Sequence, residues 1–137
     1  MEQSRLRDLD RARYISLATF RRDGSKAAVP VWFALDGEAL YVFTEAASYK
    51  VKRLRRNPRI EFAICDIRGR VRGPWHEGTG RILDEAAEHE AIEAAYRALH
   101  TKYGWQMWIA DTASRLTGRI RGRAMLELRL AASSSGA

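Results

Sequence analysis

Residues 26–44 read KAAVPVWFALDGEALYVFT. Two runs rich in β-formers, 26–35 and 40–44, flank Asp36-Gly37, a pair suited to the positive-φ positions of a tight hairpin. Working outward, Tyr14 to Phe20 is a third such run, joined to the first by the turn Arg22-Asp23-Gly24-Ser25. The three together predict a meander in which Val29 to Trp32 and Thr44 lie on adjacent strands. Pro30 falls inside the second strand, where its missing N–H would interrupt a ladder, so that strand should be bulged or locally unpaired. Backbone groups freed by such an irregularity need another partner.

Beyond the hairpin, Ser48 opens a short basic helix whose Val51 and Leu54 face inward, and Asn57-Pro58 stops it. Ile60, Phe62 and Ile64 alternate with Glu61, Ala63 and Cys65 as a fourth strand, and residues 75–83 make a fifth. From Asp84 the chain turns acidic and Ala-rich, with Ile92, Ala95, Tyr96, Leu99 and Tyr103 at helical spacing. Gly104 interrupts that helix; Trp105, Trp108, Ile109 and Leu116 begin a second stripe, and residues 125–130 return as a last strand. A short lead-in helix, capped by Ser4, is expected within 1–12, and 131–137 reads as a frayed Ser/Ala/Gly tail.

Six short strands with few helices point to a mainly β fold, an antiparallel barrel with helical additions. At 137 residues one domain accounts for the whole chain. Hydrophobic residues at 46% and charged ones at 30% exclude a disordered or fibrous chain. The single cysteine, Cys65, excludes an intramolecular disulfide and sits in an apolar run as a small core residue. Met1 to Asp10 contains no apolar stretch suited to a signal peptide or membrane span, which makes the cytoplasm the expected compartment. Trp32, Trp75, Trp105 and Trp108 offer more apolar surface than one small barrel hides, so a homodimer is expected.

The net charge of +7 predicts attraction for anions. Its most structured expression is Thr44-Glu45-Ala46-Ala47-Ser48-Tyr49-Lys50-Val51-Lys52-Arg53. A helix beginning at Ser48 presents unpaired N–H groups and a partial positive charge, and Lys50, Lys52 and Arg53 add full charges, a set suited to a phosphate. The same run also reads as a solvated basic face. The apolar strand Val29-Pro30-Val31-Trp32 has the makings of a pocket wall for a flat ring, or of an ordinary strand beginning with an edge proline. His76, His89 and His100 have no metal-ligand spacing with Cys65, so no metal is expected.

The cluster Val29-Pro30-Val31-Trp32-Phe33, Leu40-Tyr41-Val42-Phe43-Thr44, the basic run from Ser48 to Arg59 and Gly78-Thr79-Gly80-Arg81-Ile82 resembles the pyridoxamine 5'-phosphate oxidase-like split β-barrel family. The likeness is to its flavin- and deazaflavin-dependent (coenzyme F420) oxidoreductase branch, and it extends over most of 13–130. It implies an antiparallel Greek-key split barrel acting as a homodimer, with the cofactor site at the subunit interface. It further implies that Val29 to Trp32 border the redox ring and that Thr44 and Lys50 bind the cofactor phosphate. Where FMN-dependent members commonly carry arginine before that lysine, this chain has Tyr49.

The leading reading is therefore an F420-dependent oxidoreductase passing hydride between the reduced deazaflavin and a small conjugated organic substrate. Lys50, Lys52, Arg53 and Arg56 form a basic track suited to the acidic tail of F420. FMN is the alternative cofactor, and a non-catalytic F420 carrier is the alternative role. A nucleic-acid module, motivated by Arg115, Arg119, Arg121 and Arg123, ranks below both.

Overall fold

The computed structural model describes residues 8–104 and 123–131. After a helical turn at 8–11 the chain forms β1 (Tyr14–Phe20), β2 (Lys26–Val31), β3 (Ala34–Asp36), β4 (Ala39–Glu45) and helix α1 (Tyr49–Arg56). Strands β5 (Arg59–Cys65) and β6 (His76–Ile82), helix α2 (His89–Tyr103) and β7 (Arg123–Leu130) follow. The strands make one antiparallel sheet in the order β2-β1-β5-β6-β7-β4-β3. Its two edges, β2 and β3, are consecutive in the chain and separated only by Trp32 and Phe33, so the sheet must curl until its edges meet. The result is a split barrel.

Side-chain alternation sorts each strand between two cores. Leu40 and Val42 of β4 and Leu126 and Leu128 of β7 point into the barrel, where they join Ile15, Leu17, Ile60 and Phe62. Val51 and Leu54 plug that interior from α1. Tyr41 and Met125 point the other way and are covered by Ala95, Leu99 and Tyr103 of α2. Each large apolar side chain removed from water contributes on the order of 1.5–3 kcal/mol, so both helices are fixed by burial. Cys65 is buried and unpaired. Among the described residues no helix is long and apolar enough to cross a membrane.

The expected meander is corrected by the pairing. The single strand read over 26–35 divides at Trp32 and Phe33: its first half pairs with β1 and its second with β4. Val29, Pro30 and Val31 thus lie beside Leu17, Ser16 and Ile15, while Thr44 pairs with Ala124 of β7. They are not on adjacent strands. Pro30 causes no bulge, because β2 is an edge strand of the sheet and a proline there leaves a missing N–H without consequence. The irregularity falls two residues later.

The described residues contain seven strands, one more than the six expected, because of this division. The hairpin expected at Asp36-Gly37 forms one residue later: Asp36 ends β3 paired with Ala39, and Gly37, at φ 66°, and Glu38 make the tight turn. Helix α2 begins at His89, after Asp84 has accepted hydrogen bonds from the Ala86 and Ala87 amides to form a separate turn. The helical stripe of Trp105, Trp108, Ile109 and Leu116 lies outside the described residues, as do 1–7 and the tail beyond residue 131.

Candidate functional site

Helix α1 owes its position to its apolar pair and its start to Ser48. The Ser48 backbone is extended (φ −68°, ψ 156°), and its Oγ accepts a hydrogen bond from the Val51 amide at 3.4 Å. No acidic residue occupies the first turn, while Arg53, Arg55 and Arg56 crowd the last. The basic last turn complements the negative end of the helix dipole, but no carboxylate complements the positive end, where Lys50 adds a further cation. The positive end is left for an external anion.

Strand β4 delivers its last residues next to that helix start. A cavity of about 340 Å³ opens there, lined by Phe43, Thr44, Glu45, Ser48, Lys50 and Arg123. Lys50 is half-buried, and loss of hydration pushes its amine below the ordinary lysine range; Glu45 opposes the shift and Arg53 adds to it. A cation held partly dry in this way is primed to accept a counter-charge. Ser48 retains a hydroxyl proton to donate although its oxygen is engaged.

Arg123 completes the lining from β7, directly opposite Glu45 in the strand register. Its guanidinium carbon lies 4.9 Å from the Phe43 ring centroid, and its Nε is buried without a hydrogen-bond partner. Buried donors of this kind are rare, and each costs about 1–3 kcal/mol. An anion in the cavity would satisfy it, so the donor set present here fits a phosphate group.

Of the residues singled out in the sequence, Thr44, Ser48 and Lys50 converge on this cavity. Lys52 and Arg53 do not line it; their cationic groups lie 5.3 and 5.5 Å from the ring of the exposed Tyr49. Val29 and Pro30 are exposed on β2, and Val31 is partly covered. Trp32 stacks on Tyr103, with centroids 4.6 Å apart and planes at 9°. These four residues form a separate group at the seam of the barrel. In the sequence Arg123 belongs only to a basic stripe whose other members, Arg115, Arg119 and Arg121, lie outside the described residues. Its role depends on the β4–β7 pairing, which no local pattern encodes.

Among the described residues no cluster of His, Cys, Asp and Glu could hold a metal ion. Tyr103 is the other polar residue of note near the seam. Burial pushes its phenol up to about 12, and its hydroxyl serves backbone groups of Phe33 and Arg13.

No curated protein sequence is detectably similar to the chain. Among solved structures, an F420 reductase superposes with a TM-score of 0.55 at 21% identity, covering 90% of each chain. An FAD-binding protein from Mesorhizobium loti superposes at 0.64 with 18% identity, covering 95% of this chain and 87% of that one. The heme storage protein HutZ from Vibrio cholerae reaches 0.67 at 11% identity, covering 94% and 89%. At such identities the likeness establishes the fold, and these three structures are named for three different groups: F420, FAD and heme. The sequence itself matches the pyridoxamine 5'-phosphate oxidase family over residues 3–132, and with that span the chain belongs to this family.

Proposed function

We propose that the protein is an F420-dependent oxidoreductase that passes hydride between the reduced deazaflavin and a small conjugated organic substrate. The observation that carries this reading is the cavity at the start of α1, where Lys50 and Arg123 bring partly dehydrated cations to one space with Thr44 and Ser48. Lys50 and Arg123 grip the phosphate, with the Thr44 and Ser48 hydroxyls as neutral donors. Glu45 offsets one of the two positive charges and limits the site to a single anionic group.

Tyr49 favours F420 over FMN as the occupant. Where the FMN-dependent members carry a cation before the lysine, this chain holds Lys52 and Arg53 against the Tyr49 ring, on the outer side of the helix. That places positive charge along the helix surface, where an acidic tail beyond the phosphate would run. The F420 reductase among the structural relatives agrees with this choice.

When bound, the deazaflavin supplies the hydride. The chain's own contribution is positioning and exclusion of water, which hydride transfer requires more than a nucleophile. Val29 to Trp32 border the ring in this reading, and a second copy of the chain closes the site. Support for the second copy comes from Val29, Ile67, Val71 and Trp75, large apolar residues that remain exposed. The protein would act in the cytoplasm as a homodimer.

Titration of the purified protein with F420, followed by cofactor fluorescence, tests the reading. Micromolar binding is expected, with Lys50→Glu and Arg123→Glu each weakening it by at least about tenfold, as loss of one charge-assisted contact predicts. No binding at tens of micromolar would overturn it. Reduction of a quinone, enone or tetrapyrrole by the loaded protein then separates the enzyme from a carrier, and light scattering reports the dimer.

A further inference from the structure

Behind Phe43 and Arg123 lies a second cavity, of about 200 Å³, on the face of the sheet covered by α2. Its walls include Phe43, Ile82, Leu83, Ile92 and Met125, of which Leu83 and Met125 belong to the buried core beneath α2. Arg55 from the end of α1, Glu85 from the turn before α2 and Arg123 supply its charged groups. Two cations against one carboxylate leave an excess of one positive charge in an otherwise apolar slot.

Ligand pockets for larger molecules run to roughly 300–1,000 Å³, so this slot suits a single ring or a branched chain and is too small for a flavin with its ribityl arm. Arg123 is common to both cavities, with its guanidinium over Phe43, and its five N–H donors are enough to serve an anion on each side. A guanidinium is a planar fork that binds carboxylates through parallel hydrogen bonds. A charge-matched occupant is thus a monoanion whose body is apolar.

We propose that the slot is a binding site for a small apolar carboxylic acid, aromatic or branched, with its carboxylate on Arg123 and its body among Phe43, Ile82, Ile92 and Met125. The described lining residues all belong to one chain, and occupancy of the slot does not depend on which cofactor the protein binds. It has the position of an acceptor or effector site beside the anion cavity, with Phe43 and Arg123 lining both.

Phenylacetate, its neutral isostere phenylacetamide and inorganic phosphate, titrated separately into the cofactor-free protein by calorimetry and saturation-transfer NMR, test this. Phenylacetate should bind at least about tenfold more tightly than phenylacetamide, the expected value of one charge-assisted contact. Arg123→Gln should bring phenylacetate down to the level of the amide. Ile92→Trp, which fills the slot from the half-buried face of α2, should abolish phenylacetate binding and leave phosphate binding unchanged. If that variant loses its helical circular dichroism, Ala46→Phe fills the same slot from a turn and replaces it. Equal affinity for acid and amide, or phenylacetate binding that survives a folded slot-filling variant, would overturn the proposal. Because no F420 is present, neither result depends on the oxidoreductase reading.

Discussion

The Tyr103 hydroxyl accepts a hydrogen bond from the Phe33 amide at 3.0 Å and lies 2.9 Å from the Phe33 carbonyl, so one phenol serves both backbone groups where the second strand breaks. The same hydroxyl lies 2.7 Å from the Arg13 carbonyl. It is the partner that the interrupted ladder requires, and it comes from the last residue of α2. The stack of Trp32 on the Tyr103 ring adds apolar contact to the same clasp.

Tyr103→Phe keeps the ring and deletes only the hydroxyl. It should destabilise the fold by about 1–3 kcal/mol, the cost of stranding buried backbone groups, measurable by urea denaturation at neutral pH. The effect should depend on pH with a definite sign. The folded phenol titrates at about 12, above its ordinary value of 10, so its stabilising contribution is complete below pH 10 and is lost as pH rises toward 12. The gap between wild type and variant should narrow across that window, and a constant gap would show that the hydroxyl is not the group involved.

How much of this was legible beforehand follows from the range of each interaction. Strand β5 announces itself because Ile60, Phe62 and Ile64 alternate locally, and α1 because Ser48 and Asn57-Pro58 bound it in sequence. The break at Trp32 was hidden because AAVPVWFAL is one continuous apolar run, and the residue that makes the break affordable lies 70 positions later. Similarly, Thr44, Ser48 and Lys50 could be grouped because they are close in the chain. Arg123 could not, since only the β4–β7 register brings it opposite Glu45.

Lys102 is a buried cost near the same seam. Its amine sits 3.6 Å from the Phe33 ring centroid without a hydrogen-bond partner, and burial pushes it down to about 8, opposed by Asp10 and assisted by Arg13. A lysine whose folded value is below its unfolded one destabilises the fold most at low pH, where it must be charged, and this penalty disappears as pH rises from 8 past 10.5. Lys102→Met preserves the stem and removes the charge. It should stabilise the protein by about 1 kcal/mol at pH 7 and by progressively less above pH 8. A variant less stable than wild type at pH 7 would mean that the contact with Phe33 outweighs the lost hydration.

Gly78 and Gly80 occupy β6 for different reasons. A Cβ on Gly78 would run into the Arg129 carbonyl oxygen, a backbone atom that cannot yield without parting β6 from β7. On Gly80 it would meet side chains of Leu128, Ile60 and Leu54 at 3.1 to 3.3 Å, which can shift by a few tenths of an ångström. Gly78→Ala should therefore cost more than about 3 kcal/mol or prevent folding, while Gly80→Ala should fold and lose about 1–2 kcal/mol. Because Leu54 anchors α1, the Gly80 variant should also weaken anion binding at Lys50, read as a lower affinity for inorganic phosphate. Equal stability of the two variants would contradict this ranking.

Glu127 ties three strands together on the face covered by α2. Its carboxylate is nearly buried yet receives Arg81 Nε at 3.0 Å, Arg129 Nε at 3.2 Å and the Tyr41 hydroxyl at 3.1 Å. Burial raises its proton affinity, but these three donors outweigh burial and hold the carboxyl below the ordinary glutamate range. Its contribution is therefore present above pH 4.5 and is lost as pH falls through the depressed value. Glu127→Gln leaves Arg81 its paired contacts to Glu88 at 2.6 and 2.8 Å but deprives the β6–β7–β4 junction of its anion. A loss of about 1–3 kcal/mol at pH 7 is expected, less than for a wholly isolated buried pair because Arg81 keeps a second carboxylate. Denaturation series at pH 7 and pH 3.5 decide the point: the difference between wild type and variant should shrink in acid, and an unchanged difference would assign the loss to packing instead of charge.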